Sequence, residues 1–300
     1  MKSLIKVGYT CNNNCLFCHS SEHRGHRDLT TQEVLRKIDL CAKAGRSMVV
    51  FSGGEPTARR DILTLARHVA HRGMALGLVT NGRMLCYEAL LDRLVGLGLS
   101  YVYVSLHGPA HVHNALVRAE AHTQTLAAVR ALTSRGLCPT VNCVVTRLNL
   151  GCLRSLVDEL CGFGPLVVKF SMVEAKGRAS VLFDRVVPRV TEAAEAIRDA
   201  IAYAELSGLE AAHDGIPFCL LPDFVHLYDD LVSNGFADMS EAFEEGFFPV
   251  DELNRTKPVS TCAGCAFETR CPGLYVRYCE RWGAEELRPL GQGHRRSGKE

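Results

Sequence analysis

Three hundred residues, 47% of them hydrophobic, are enough to bury one large core and a smaller appendage. Lys and Arg number 34 against 33 Asp and Glu, which excludes the basic excess of a general nucleic-acid binder. No apolar run approaches the roughly 20 residues of a membrane-spanning helix, and Met1 to Val7 is too short for a signal peptide, so a soluble, cytoplasmic protein is expected.

In chain order, short apolar strands are expected at Leu4–Val7, Met48–Ser52, Leu76–Thr80, Tyr101–Ser105, Thr140–Thr146 and Val167–Met172. Each is followed by a helical pattern. Thr30 with Glu33 three residues on reads as a capping box, the face Val34, Ile38, Cys41 follows at helical spacing, and Gly45 ends that helix. Later faces are Ile62, Leu65, Ala66, Val69; Leu90, Leu91, Leu94; Leu126, Val129, Leu132; and Leu153, Leu156, Val157, Leu160. Six βα units in a row predict an α/β fold, a partial (β/α)6 TIM-like barrel, because six are too few to close the eight-stranded form. Functional residues then belong at the C-terminal ends of the strands. A further helix is expected from Thr191 to Leu206, after which the alternation stops. The expected organisation is a barrel over 1–207, a small irregular domain over 208–288 and a solvated tail over 289–300.

Fourteen cysteines are many for this length, and in a cytosolic chain tight spacing favours metal or redox chemistry over disulfides. Cys11, Cys15 and Cys18 follow the first strand in the run Cys-Asn-Asn-Asn-Cys-Leu-Phe-Cys. Three thiolates on one loop bond three irons of a cubane and leave the fourth iron open, as a catalytic zinc site keeps one position open. Zinc held by the three thiolates and His19 is the alternative, although adjacent Cys18 and His19 suit a tetrahedral site poorly.

The C-x3-C-x2-C spacing, with Phe17 before its last cysteine, resembles the signature of the radical S-adenosylmethionine superfamily. Three further stretches share the resemblance: Ser52-Gly53-Gly54-Glu55-Pro56 after the second strand, Thr80-Asn81-Gly82 after the third, and Ser105-Leu106-His107-Gly108-Pro109 with His113-Asn114 after the fourth. The resemblance implies a [4Fe-4S] cluster on Cys11, Cys15 and Cys18. Its open iron would chelate S-adenosylmethionine, reductively cleaved to a 5′-deoxyadenosyl radical that takes hydrogen from substrate. Phe17 matches the aromatic beside the adenine. Gly53, Gly54, Glu55 and Pro56 match the cofactor's amino-group site, with glycines for close approach and Glu55 as an acceptor. Ser105 and Asn142 are polar candidates for the cofactor, and His107 either contacts cofactor or substrate or caps its loop. Many relatives carry Asp at the position of His107 and an Arg twelve residues after the Ser; here the nearest is Arg118, thirteen on.

A second group, Cys262, Cys265 and Cys271, lies between Gly264 and Pro272-Gly273. It resembles part of the auxiliary-cluster pattern of the SPASM and twitch subgroup, which implies a second [4Fe-4S] cluster with Cys219 as fourth ligand and Cys279 as the competitor. A zinc knuckle on the same cysteines is the alternative. Cys41, Cys86, Cys138, Cys143, Cys152 and Cys161 read as packing residues, with Cys143 the one that might face the barrel interior. The subgroup implies an oxidoreductase-type enzyme acting on a ribosomally made peptide, with a flavodoxin or ferredoxin as electron donor. No leader-peptide-binding segment precedes Cys11, so such a domain is expected on a separate chain. Oxidation or rearrangement of a small molecule such as a sugar, nucleotide or amino acid is the second reading. A non-catalytic iron–sulfur carrier or zinc-binding module is the third, and it has no use for an open iron.

Overall fold

The strand β1 (Lys2–Lys6) is the hub of a nine-stranded sheet in the computed structural model, which describes residues 1–250 and 254–291. On one side it pairs in parallel with β2 (Met48–Ser52), and the series continues through β3 (Ala75–Thr80), β4 (Leu99–Ser105), β5 (Thr140–Val145) and β6 (Val167–Met172). The six expected strands are thus six consecutive parallel neighbours. Between them run α1 (Thr31–Lys43), α2 (Ile62–His71), α3 (Glu88–Gly96), α4 (Ala110–Val117), α5 (His122–Thr133) and α6 (Leu153–Leu160). The capping box opens α1, with Thr30 and Glu33 each accepting from the other's backbone N–H.

The sheet is buried on both faces, as a parallel sheet must be. Its helix-facing side carries Ile5, Phe51, Leu76, Leu78, Val104, Val141, Cys143 and Phe170, packed against Ile38, Leu65, Leu91, Leu94, Leu132 and Leu156. Each fully buried side chain of this kind stabilises the fold by roughly 2 kcal/mol. Cys143 lies on this helix side, 3.5 Å from Asn149 Nδ2, and does not face the barrel interior.

The other face is apolar at one level, where Leu4, Val50 and Phe236 meet Met48, Val79 and Tyr101. It turns polar at Tyr103 and Lys169. Burial would lower the pKa of the Lys169 ammonium, but Tyr103, Asp214 and Asp229 hold it above the ordinary lysine range. The Lys169–Asp229 ion pair closes at 3.1 Å.

The sheet does not stop at residue 207, where the sequence suggested the barrel ends. β7 (Glu210–Asp214) adds to β6 in parallel. β8 (Phe236–Ser240) adds in parallel to the free side of β1 and carries β9 (Phe248–Pro249) antiparallel at the edge. Both late strands are short and polar (Glu-Ala-Ala-His-Asp and Phe-Ala-Asp-Met-Ser), so the apolar signal of a central strand is missing. Beyond them β10 (Arg255–Thr256) pairs antiparallel with β11 (Leu274–Tyr275), which runs into the helix Val276–Trp282. Tyr278 on that helix is buried and accepts from Val190 N at 2.8 Å. Trp282 meets the ring of Phe183 edge-on, with centroids 4.7 Å apart, so the C-terminal segment is tied to the barrel. The tail expected at 289–300 lies, from 292 on, outside the described residues.

Candidate active site and cysteine centres

The loop after β1 carries Cys11, Cys15 and Cys18, and its backbone is fixed from several sides. Asn14 N and Leu16 N donate to the last carbonyls of α4, Val117 O and Leu116 O, at 2.8 Å each. Three arginines, Arg24 on the same loop and two from distant parts of the chain, grip the Asn12-Asn13-Asn14 run. Arg24 donates to Asn14 Oδ1 (2.9 Å) and Asn13 O, Arg83 to Asn12 O and Asn13 Oδ1 (3.1 Å), and Arg178 to Asn14 Oδ1 (2.7 Å) and Cys15 O (2.7 Å). None of these arginines stands out in the sequence, where each reads as an ordinary surface charge. Gly177 (φ +57°) lets the β6 loop lie flat on this backbone, since a Cβ there would sit 2.4 Å from Cys18 O.

The three thiols are near one another and short of water. Burial pushes Cys15 up to about 12, and the charges of Cys18 and Cys11 act in the same direction. Burial also raises Cys11, while the Asn13 N–H and Arg24 draw it back. Thiolates that repel one another in a half-dry pocket need a positive group between them, and the surrounding guanidinium groups suit a net anionic assembly. The donor set therefore fits an iron–sulfur cluster. His19 Nε2 is 3.3 Å from a Glu174 carboxylate oxygen.

The turn Ser52–Pro56 departs from the expected role of its glycines. Gly54 N donates to Gly8 O and Glu55 N to Thr10 O, both at 2.9 Å. A Cβ on Gly53 (φ +126°) would stand 2.2 Å from Gly8 O, and one on Gly54 2.2 Å from Thr10 O. The glycines thus let this backbone approach the backbone that leads into Cys11. Pro56 is buried and starts a 3-10 turn.

Glu55 is 3% exposed and already supplied with donors. Its carboxylate accepts from Thr57 N (3.0 Å), Thr57 Oγ1, Thr80 Oγ1 (2.7 Å) and Asn81 N (2.6 Å). Burial raises its pKa, against the opposing pull of these four donors. The side chain ties the end of β2 to the end of β3, which accounts for the Thr80-Asn81-Gly82 stretch. Glu55→Ala strands four buried donors, so chemical denaturation of the cluster-free protein should show a loss of about 3 kcal/mol or more. A loss below about 1 kcal/mol would mean that water or a shifted loop replaces the carboxylate.

At the next strand ends, Ser105 and Asn142 are register partners, and Asn142 Oδ1 accepts from Ser171 Oγ at 2.8 Å. His107 is buried, and its ring stands edge-on to Phe17 with centroids 4.9 Å apart. Phe17, Ser105, His107 and Asn142 therefore lie at one end of the sheet with the cysteine loop. Arg118 is an exposed left-handed residue (φ 53°) that ends α4.

The C-terminal thiols form a second centre. Cys219, Cys262, Cys265 and Cys271 line one cavity with Pro217, Phe267 and Leu287. Cys279 is not in its lining and faces Glu285 and Glu280 instead. Burial pushes Cys219 up to about 11, the Arg288 N–H lowers it, and Cys271, Cys265 and Cys262 raise it. Among the described residues, no three His, Cys, Asp or Glu side chains converge closely enough for a single metal ion, and no helix is long and apolar enough to cross a membrane.

A cleft of about 690 Å³ opens between the stretch Glu174–Asp184 and the helix Val276–Trp282. Glu174, which holds His19, is on its wall.

Known proteins resemble this chain in part. The chain is 33% identical over 159 residues to a PqqA peptide cyclase of Rhodopseudomonas palustris, covering 52% of this chain and 42% of that protein. It is 33% identical over 177 residues to a probable GTP 3′,8-cyclase of Methanopyrus kandleri, covering 58% and 56%. The chain spans about half the length of the curated relatives it matches. Its fold is that of Streptococcus suis SuiB bound to S-adenosylmethionine, with a TM-score of 0.62 at 15% identity over 95% of this chain and 66% of that one. SuiB has also been solved bound to its precursor peptide SuiA (TM-score 0.60, 16% identity, 74% and 51% covered). The radical SAM superfamily model matches residues 5–160, and the chain belongs to that superfamily.

Proposed function

We propose that this chain modifies a ribosomally made peptide by hydrogen abstraction, using S-adenosylmethionine and a [4Fe-4S] cluster on Cys11, Cys15 and Cys18. When bound, that pair supplies a 5′-deoxyadenosyl radical on reduction by a flavodoxin or ferredoxin. The observation that carries the reading is the half-buried thiol trio, on a loop held by Arg24, Arg83 and Arg178 at the end of the sheet where Phe17, Ser105, His107 and Asn142 also lie. The protein's part is to hold the thiols, shelter the site from water and position the substrate. The cleft lined by Glu174, whose carboxylate meets His19 next to Cys18, is the proposed seat of a peptide segment. The likeness to PqqA peptide cyclases supports the peptide over other substrates.

The second centre is proposed to hold an auxiliary [4Fe-4S] cluster on Cys219, Cys262, Cys265 and Cys271. Four thiols around a cavity match a polynuclear cluster better than zinc, whose ligands meet at a point about 2.3 Å away. Four protein ligands leave no open iron, so its role is to carry away the substrate's electron. Cys219→Ser should cost the C-terminal iron, about half the total, whereas Cys279→Ser should keep full iron and activity. The reverse pattern in an iron assay would exchange the two assignments.

The decisive test incubates reconstituted enzyme with dithionite, S-adenosylmethionine and synthetic candidate precursor peptides. Mass spectrometry should show a peptide lighter by two hydrogens, with stoichiometric 5′-deoxyadenosine. The likeness to a GTP 3′,8-cyclase favours a nucleotide as the second reading. GTP consumed while every peptide stays unchanged would establish it.

A further inference from the structure

His107 performs three structural tasks and has one hydrogen-bonding group left over. Its backbone N–H donates to His113 Nδ1 at 3.2 Å, and its carbonyl accepts from Asn149 Nδ2 at 2.9 Å. Its ring Nδ1 accepts the Val144 N–H at 3.2 Å. A ring nitrogen that accepts an N–H carries no proton of its own, so the proton of the neutral imidazole is on Nε2. Nε2 has no hydrogen-bond partner among the described residues. Unlike His113 Nε2, which is buried without a partner, it keeps some exposure.

The ring cannot easily turn away. His113 stacks on it with centroids 5.3 Å apart and planes 21° apart, and Phe17 stands edge-on at 4.9 Å. Burial keeps the His107 imidazole neutral, with its pKa pushed down to about 3. A loop cap needs only the acceptor that serves Val144, which an aspartate or asparagine side chain also offers. The imidazole adds a fixed donor at its other ring nitrogen.

We propose that His107 is a cofactor-contacting residue whose Nε2–H donates to a ring nitrogen of the adenine of S-adenosylmethionine, with Phe17 against the same base. The inference rests on the cofactor reading above. It assigns base recognition to a side chain of β4's end. A purine nitrogen is a neutral acceptor of the matching kind, and a permanently uncharged donor makes no demand on the sulfonium or the carboxylate.

Anaerobic calorimetry on the reconstituted, oxidised holoenzyme tests this without turnover. The probes are S-adenosylmethionine and its 1-deaza, 3-deaza and 7-deaza analogues, each lacking one ring acceptor. In the unaltered protein one analogue should bind about tenfold more weakly than S-adenosylmethionine, the size of a single lost neutral hydrogen bond. In His107→Phe all analogues should bind like the parent, and the parent should itself be about tenfold weaker. His107→Asn, which keeps an acceptor for Val144, gives the same reading where the phenylalanine variant does not hold its cluster. Equal binding of all four probes to the unaltered protein overturns the inference while leaving the cofactor reading intact, as does discrimination that survives in either variant. No binding of S-adenosylmethionine by cluster-loaded protein overturns the cofactor reading itself.

Discussion

Cys15→Ala should abolish 5′-deoxyadenosine release, at least about a thousandfold, while the reconstituted protein keeps about half its iron. The loop itself should survive the change. Its anchors are the backbone bonds of Asn14 and Leu16 to the end of α4 and the arginine contacts to Asn12, Asn13 and Asn14, none of which uses the thiol. Burial raises the pKa of Cys15, and the charges of Cys18 and Cys11 act in the same direction. Removing Cys15 leaves two thiols, too few to hold a cubane with one iron open. The C-terminal quartet lines a different cavity and shares no residue with this loop, so its iron should remain. Iron analysis, far-UV circular dichroism and chromatography of the quenched reaction read the three quantities together. Deoxyadenosine at the unaltered level from a folded variant would show that these cysteines do not hold the reactive cluster.

Much of the barrel was legible because alternation and helical spacing are local signals. The strands at 48–52 and 167–172 have the bounds expected from the sequence, since these central strands are buried on both faces and rich in apolar residues. The late strands β7 and β8 were not legible. Glu210–Asp214 and Phe236–Ser240 take their place from register with β6 and β1, and their composition is that of a loop. The candidate site divides in the same way. Cysteine spacing and the Gly-Gly-Glu-Pro run announce themselves, but what the run does is a matter of packing. Gly53 and Gly54 face Gly8 and Thr10, and the Glu55 carboxylate is occupied by Thr57, Thr80 and Asn81. Arg24, Arg83 and Arg178 could not be singled out, because a guanidinium that folds inward on backbone carbonyls has the same letter as one in water. Cys219, preferred to Cys279 from the sequence pattern alone, lines one cavity with Cys262, Cys265 and Cys271.

Cys265→Ala separates the two centres in the opposite direction. Reductive cleavage of S-adenosylmethionine should stay within about threefold of the unaltered enzyme, while modified peptide falls at least about a hundredfold. Cys265 sits in a tight turn, with its N–H on Cys262 O at 3.1 Å and its carbonyl on Glu268 N at 3.0 Å. Those bonds do not involve its sulfur, so alanine should preserve the turn while removing one of four thiols from the cavity. The barrel centre keeps its thiols, its arginines and the Glu55 tie between β2 and β3, so electron entry and cofactor cleavage have what they need. Product formation has a further requirement, because a substrate radical that forms a new bond or loses a second hydrogen must give up an electron. Without an acceptor the substrate radical is quenched by an electron from dithionite and a proton, and deoxyadenosine appears without matching product. The ratio of deoxyadenosine to modified peptide therefore reports the division of labour directly, and it should rise from near one to well above ten. Equal loss of both activities in a folded variant that retains the barrel's iron would show that the C-terminal centre is needed before cofactor cleavage, and that the electron passes through it on the way in.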